Sequence, residues 1–226
     1  MIFVSACFLV LIVFGALQAG LAWSHRICGL PLEWCRKITH VAMGVICLSF
    51  PLFVSTAWQV VSLALLFTGA LALLRWNSLL LWGGGSLLPS SRCGSEGEFY
   101  FVLGVAFTLL FARDDRFVYC GSILILAFAD SAAAFVGKSI GRCHCWGNAK
   151  TLEGSLAFFL VAVICLHSLS FAMASPHGLL LIGPVCLLAT VAEGVSLRGS
   201  DNLFIPMACT SGLLLVGRMP VTSFTW

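Results

Sequence analysis

Apolar residues gather along this chain in successive runs, and charged or Gly/Pro-rich breaks separate one run from the next. A stretch of ~20 such residues spans the ~30 Å hydrocarbon core of a bilayer, so each run predicts one membrane-crossing helix. The breaks place spans near 2–24, 38–55, 58–74, 98–112, 117–137, 153–174, 179–197 and 202–217. The polar "STAWQ" at 55–59 predicts a hairpin, because 38–74 as one helix would be ~55 Å long. Without that hairpin the count would be seven. The expected fold is all-α: a polytopic transmembrane helical bundle of about eight spans, with residues 1–226 forming a single integral membrane domain.

Composition sharpens this picture. Of the 226 residues 60% are hydrophobic and 9% charged, whereas a soluble domain is about 25% charged. The first run, "IFVSACFLVLIVFGALQAGLAW", has no basic start and no clear small-residue cleavage site, so a retained span is expected rather than a signal peptide. Eleven cysteines without paired spacing argue against a secreted disulfide framework and read mostly as small apolar fillers. A formal charge of +3 is too small to argue a nucleic-acid partner, and none is expected.

Where the charges lie says more. With eight spans, the segments 25–37, 75–97, 138–152 and 198–201 share one side. That side holds Arg26, Arg36, Lys37, Arg75, Arg92, Lys138, Arg142, Lys150 and Arg198, nine of the twelve Lys and Arg. Arg113, Arg116 and Arg218 lie opposite. Positive charge marks the cytosolic side, which puts the polar loops in the cytosol and both termini across the membrane. The expected location is an integral membrane position in the endoplasmic reticulum; a bacterial-type inner membrane would suit the same topology.

An acid interrupts the fifth run. Asp130 in "FADSAAAFVGKSIGR" would cost roughly 2.5–3.5 kcal/mol at membrane depth, which marks it as functional. Asp130, Ala134, Gly137 and Gly141 form one helical stripe whose small residues let another backbone approach. The bland alternative is a packing seam with the acid paired to a buried cation. Lys138, Arg142 and Lys150 follow in a glycine-containing loop, and "TLEGS" opens the sixth span. Cations beside a helix start whose amides point outward suit a polyphosphate, and Asp130 could hold Mg²⁺, which takes one or two carboxylates plus phosphate oxygens. Alternatively the loop is a basic membrane surface in which Thr151 caps a helix and Glu153 meets its dipole.

Two further clusters face the same side. Glu193 precedes "RGSDN", where Asp201 and Asn202 supply short oxygen ligands for metal or ribose, or plain helix caps. In "CRKITH", Arg36 and His40 share a helical face and could bind phosphate, or His40 could take a proton from an alcohol; an interfacial histidine beside stop-transfer cations is the alternative. "CHC" at 143–145 lacks a second pair for zinc, and "GGG" at 83–85 lacks the Lys-Ser/Thr ending of a P-loop.

Taken in order, "RKITHVAMG", "FADSAAAFVGKSIGR…AKTLEGSLAFF" and "EGVSLRGSDNLFIPM" resemble the CTP-dependent lipid kinases, the phytol, farnesol, dolichol and fungal-type diacylglycerol kinases, over residues 34–215. The middle motif is also similar to that of phosphatidate cytidylyltransferases, whose late Gly-His-Gly-Gly-x-x-Asp-Arg segment this chain lacks. The resemblance implies that Asp130, Lys138, Arg142, Lys150, Thr151 and Glu153 form a nucleotide and metal site. Arg36, Lys37, His40, Glu193, Asp201 and Asn202 complete its polar residues. It departs in Ala129, where many phytol kinases have Gly, and in "CHCWGNAK", where they have a Pro-rich approach.

The function this implies is transfer of the terminal phosphate of CTP to the hydroxyl of a membrane lipid alcohol, with Mg²⁺. Asp130 and Asp201 would hold metal. Arg36, Lys37, Lys138, Arg142, Lys150, Thr151, Glu153 and Asn202 would bind nucleotide and phosphate, and His40 or Glu193 would serve the alcohol. The alternatives are cytidylyl transfer to phosphatidic acid on the same cradle and, in another class, a small transporter with Asp130 as its ion site.

Overall fold

The structure is a computed structural model and describes residues 2–81, 96–112, 115–144, 150–174 and 179–217. These residues are helical apart from turns and one isolated pairing of His144 with Thr151. In chain order the helices are α1 (Ile2–Cys28), α2 (Leu32–Cys47), α3 (Ala57–Leu81), α4 (Gly97–Ala112), α5 (Arg116–Leu124), α6 (Asp130–Ile140), α7 (Leu152–Ala172), α8 (Leu179–Val195) and α9 (Asp201–Gly217). A short 3₁₀ turn, Phe50–Leu52, and residues 53–56 form the hairpin expected at "STAWQ". Arg92, "GGG" at 83–85, Arg113, Cys145, Gly147 and Arg218 lie outside the described residues.

Each expected span has a helix, but three depart from the expected bounds: α3 runs on past 74 to Leu81, as the apolar "LLL" at 79–81 allows, so Arg75 lies within the helix rather than in a loop. The second begins at Leu32 rather than 38, since Pro31 supplies a ready-made helix start and the polar "EWCRK" then fits the first turns. The fifth is one rod from Arg116 to Ile140 interrupted by a π-helical turn at Ile125–Ala129. Arg116–Ile140, Ile2–Cys28 and Leu152–Ala172 are long and apolar enough to cross a membrane. Four shorter apolar helices, 57–73, 97–112, 181–195 and 201–217, accompany them.

Around the outside, Phe8, Ile12, Leu65, Ile164 and Phe171 are exposed, as residues facing acyl chains would be. This is an integral membrane protein. The α5–α6 rod runs through the middle, with Tyr119, Ile123, Ile125 and Leu126 fully buried. Hydroxyls rather than oil join some helices there: Thr210 of α9 lies 3.0 Å from Ser122 Oγ of α5 and 3.3 Å from Thr108 Oγ1 of α4. Interhelical hydrogen bonds replace the hydrophobic force that lipid cannot supply. The cysteines behave as fillers: among the described residues all are free, and Cys7, Cys35, Cys47, Cys186 and Cys209 are buried.

Small residues set the closest approaches. A Cβ on Gly44 of α2 would stand 2.4 Å from Ala127 Cβ, so α2 presses onto the π turn. A Cβ on Gly154 of α7 would stand 2.9 Å from the Ala133 carbonyl, and Gly137 of the expected small-residue stripe faces it. These contacts seat α2 and α7 on either side of Asp130.

Candidate active site

The first half of α2, the end of α6 with its loop, and the turn from α8 to α9 meet at one end of the bundle. Together they line a polar bowl of about 530 Å³. Asp130, 3% exposed, starts α6 directly after the π turn. Such a turn inserts a residue into the helix and rotates everything beyond it, a distortion that recurs at functional sites.

A buried carboxylate persists only when it is paired and hydrogen-bonded. Lys37 Nζ lies 2.6 Å from Asp130 Oδ2 and 3.4 Å from the Asp130 carbonyl. His40 Nε2 lies 2.8 Å from the Leu126 carbonyl, inside the π turn, and 3.6 Å from Asp130 Oδ2. A carbonyl only accepts, so Nε2 carries the proton there and Nδ1 remains as the acceptor of the neutral ring. The imidazole also meets the Phe101 ring edge-on at 5.2 Å.

Across the bowl, Lys150 joins two acids. Its Nζ lies 2.5 Å from Glu193 Oε1 and 3.0 Å from Asp201 Oδ2. Glu193, 2% exposed at the end of α8, also accepts from the Ser155 hydroxyl at 3.3 Å. Burial alone would lower the lysine's pKa, but the Asp201, Glu193 and Asp130 carboxylates outweigh it and hold the pKa above the usual range. Lys150 therefore stays charged at every physiological pH.

The loop before Lys150 is tied at both ends. Glu153 accepts from the backbone amides of Arg142 at 3.0 Å and Cys143 at 3.2 Å, while Leu152 donates to the Cys143 carbonyl at 2.8 Å. Thr151 caps α7 by accepting from the Gly154 amide at 3.2 Å. Asn202 donates from Nδ2 to the Gly97 carbonyl at 2.7 Å, fastening α9 to α4. Lys138 pairs with Glu33, both about half exposed at the rim.

Of the sequence-derived residues, the bowl gathers Arg36, Lys37, Asp130, Lys138, Lys150, Thr151, Glu193 and Asp201. His40 supports it from beneath Asp130, Glu153 and Asn202 act on backbone, and the exposed Arg142 side chain lies outside the lining. Sequence reasoning missed His144, Ser155 and Arg198, which line the bowl. Ser155 was legible as the residue one helical turn after Thr151. Arg36 and Arg198 make no ion pair among the described residues, so cations are available to an incoming anion while Asp130, Glu193 and Asp201 are each held by a lysine.

Among the described residues no group of three or more His, Cys, Asp or Glu side chains stands ready to hold a metal alone. Mg²⁺ asks for less: one or two carboxylates, completed by phosphate oxygens and water. Asp130 Oδ1 makes no hydrogen bond among the described residues, which leaves one oxygen of a bowl-lining carboxylate for a cation. The donor set fits Mg²⁺ arriving with a phosphate.

No protein-family model matches the chain, and no solved structure matches it. Several curated proteins do, three of which follow. Over 186 residues it is 28% identical to a phytol kinase of Synechocystis sp., covering 78% of this chain and 76% of that one. Over 111 residues it is 33% identical to the dolichol kinase of Saccharomyces cerevisiae, covering 47% of this chain and 20% of that one. Over 123 residues it is 31% identical to an uncharacterized protein of Methanocaldococcus jannaschii, covering 54% of this chain and 59% of that one. The chain thus spans less than two thirds of the latter two relatives and is similar, at modest identity, to two proteins named as kinases of lipid alcohols.

Proposed function

We propose that this protein is a lipid alcohol kinase that transfers the terminal phosphate of CTP to the hydroxyl of a long-chain alcohol. One observation carries the reading: cations and carboxylates from α2, α6, α8, α9 and the loop before α7 converge on a single bowl at one end of an apolar bundle. Similarity to a phytol kinase and a dolichol kinase supports it.

In phosphoryl transfer the protein chiefly positions the reactants and neutralises spreading charge. The alcohol oxygen attacks the terminal phosphorus, the bond to the bridging oxygen breaks, CDP leaves, and the hydroxyl proton passes to a base. Arg36, Lys150, Lys138 and Arg198 meet the triphosphate, and the start of α7, capped by Thr151, offers amides to the same anion. Lys37 holds Asp130 in place, and His40 Nδ1 takes the proton. Asp130 and Asp201 would hold Mg²⁺, which supplies charge neutralisation on the phosphates. In this reading the eight helical rods, counting α5–α6 as one, make eight spans. The bowl faces the cytosol, where CTP is dissolved, and the membrane is that of the endoplasmic reticulum.

Purified protein given CTP labelled in the γ-phosphate, with a panel of lipid alcohols and ATP as the competing donor, tests the proposal. Label should enter the alcohol with CTP and not with Asp130→Asn or Lys150→Ala. In a parallel reaction with CTP labelled in the α-phosphate and phosphatidic acid as acceptor, label entering the lipid would make the protein a cytidylyltransferase and refute the kinase.

A further inference from the structure

We propose that the alcohol binds in a narrow crevice between α1, α2, α3 and α4, its hydroxyl held by Gln18 and Thr39, and that the crevice admits one hydrocarbon chain. This deepens the kinase reading and rests on it. The crevice has a volume of about 60 Å³ and adjoins the bowl, with Arg36 lining both. His40, whose Nε2 stands 3.6 Å from Asp130, forms part of its wall. A hydroxyl at this end would lie beside the phosphate site without leaving the apolar interior.

Polarity fixes which end takes the hydroxyl. Gln18 lies midway along an apolar helix and is 4% exposed, and its Oε1 is buried without a hydrogen-bond partner. Thr39 Oγ1, in the same lining, is buried and unpartnered too. Buried polar atoms are normally satisfied, and an amide in hydrocarbon is costly to leave unmet. In the resting complex an alcohol answers both, its O–H donating to Gln18 Oε1 and its oxygen accepting from the Thr39 hydroxyl; for transfer the O–H turns to His40, which lines the same crevice.

The rest of the crevice suits a tail. It continues past Met43, Phe67, Phe101 and Val102, which it shares with a second apolar cavity of about 30 Å³. Half-buried Ala64, Ala106 and Leu109 bring that cavity to the seam between α3 and α4. Cavities this small have no room for two acyl chains side by side, and a single chain would thread them end-on with its remainder in the seam between α3 and α4. A roomier apolar groove of about 740 Å³ lies between α2 and α6, along Ile38, Val41 and Phe135. That groove contains no unmet buried polar atom among the described residues to receive a hydroxyl.

The test uses purified full-length protein, with farnesol as the one-chain probe and dioleoylglycerol as the two-chain probe. Farnesol binding is read by thermal stabilisation without nucleotide, and KM values are read for farnesol and CTP separately. Gln18→Leu and Thr39→Val should each weaken farnesol about tenfold, the loss of one hydrogen bond, with the KM for CTP unchanged. Val102→Trp, which fills the crevice, should abolish stabilisation by farnesol, and Val41→Trp in the outer groove should leave it intact. Thr39→Val removes one hydroxyl and nearly preserves shape, so it answers even where a bulkier variant fails to fold. Unchanged farnesol binding in Gln18→Leu and Thr39→Val, loss of binding in Val41→Trp instead, or equal binding of dioleoylglycerol would overturn the crevice. Farnesol binding that depends on Gln18 while no phosphate is transferred from CTP would uphold the crevice and overturn the kinase.

Discussion

Replacing Lys150 by methionine removes the cation from between two acids and keeps most of the side-chain volume. The Lys150, Glu193 and Asp201 side chains are 26%, 3% and 17% exposed, so Glu193 would be left charged, buried and without its counter-ion. Stripping one partner from a buried pair costs about 3–5 kcal/mol, and the partial exposure of Lys150 points to the lower end. At about 2–4 °C per kcal/mol for a chain of this size, unfolding should shift down by about 6–12 °C in a thermal melt. Adding Glu193→Gln removes the stranded charge and leaves Ser155 a hydrogen-bonding partner, so half or more of the loss should return. Phosphate transfer should not return, because the triphosphate still lacks its cation, a deficit on the order of 10²–10³ in rate. The pH dependence has a definite sign. Lys150 has a raised pKa in the folded protein, so its contribution is complete below the ordinary lysine value of about 10.4 and fades only as pH rises through the folded value. The ionisation of Lys150 itself should therefore add no pH dependence to the difference in melting between the protein and Lys150→Met from about pH 6 to about pH 9. A single variant that melts within about 2 °C of the parent, or a double variant that regains activity, would refute the assignment of Lys150 as both structural bridge and phosphate grip.

Three other perturbations separate the roles of the surrounding residues. Gly154→Ala drives a methyl against the Ala133 carbonyl and should cost about 1–3 kcal/mol in a melt, lowering activity as α6 and α7 part; an unchanged melting point would mean the seam is slack. Glu153→Gln should speed amide hydrogen exchange at Arg142 and Cys143 and raise the KM for CTP, whereas unchanged exchange would remove Glu153 as the tie of the loop. His40→Gln keeps an amide donor for the Leu126 carbonyl but has no proton acceptor of suitable pKa. It should fold, lose about 10²–10⁴ in rate and lose the acid limb of the pH–rate profile; a retained limb would show that His40 only positions the helix.

Much of this arrangement could be read from the order of residues, and the reason is physical. Hydrocarbon tolerates no unpaired backbone, so long apolar runs specify helices almost without ambiguity. Charges are costly inside, so Asp130, Glu193 and the cations around them stand out against the background and mark one end of the bundle. What could not be read depends on packing. Nothing in "ILAFA" announces a π turn, because its residues suit an ordinary helix equally well. Glu153 reads as a helix-dipole acid, yet its carboxylate reaches back to the amides of Arg142 and Cys143, a contact set by how the loop folds. Gln18 was visible as a lone amide in the first run, but its significance appears only once α1 packs beside α2.

The π turn explains how an acid is tolerated at Asp130. In a regular helix the carbonyls of that turn would be committed to the ladder and the side chain at 130 would point elsewhere on the rod. With the turn widened, the Leu126 carbonyl receives His40 Nε2, and Gly44 lets α2 lie flush against Ala127. That close approach brings Lys37 to 2.6 Å from Asp130. The buried charge, its counter-ion, the histidine and the glycine are thus one device: without the turn α2 could not come near enough to pair the acid. Without the pairing, an ionised Asp130 would be too costly to keep beneath a phosphate site.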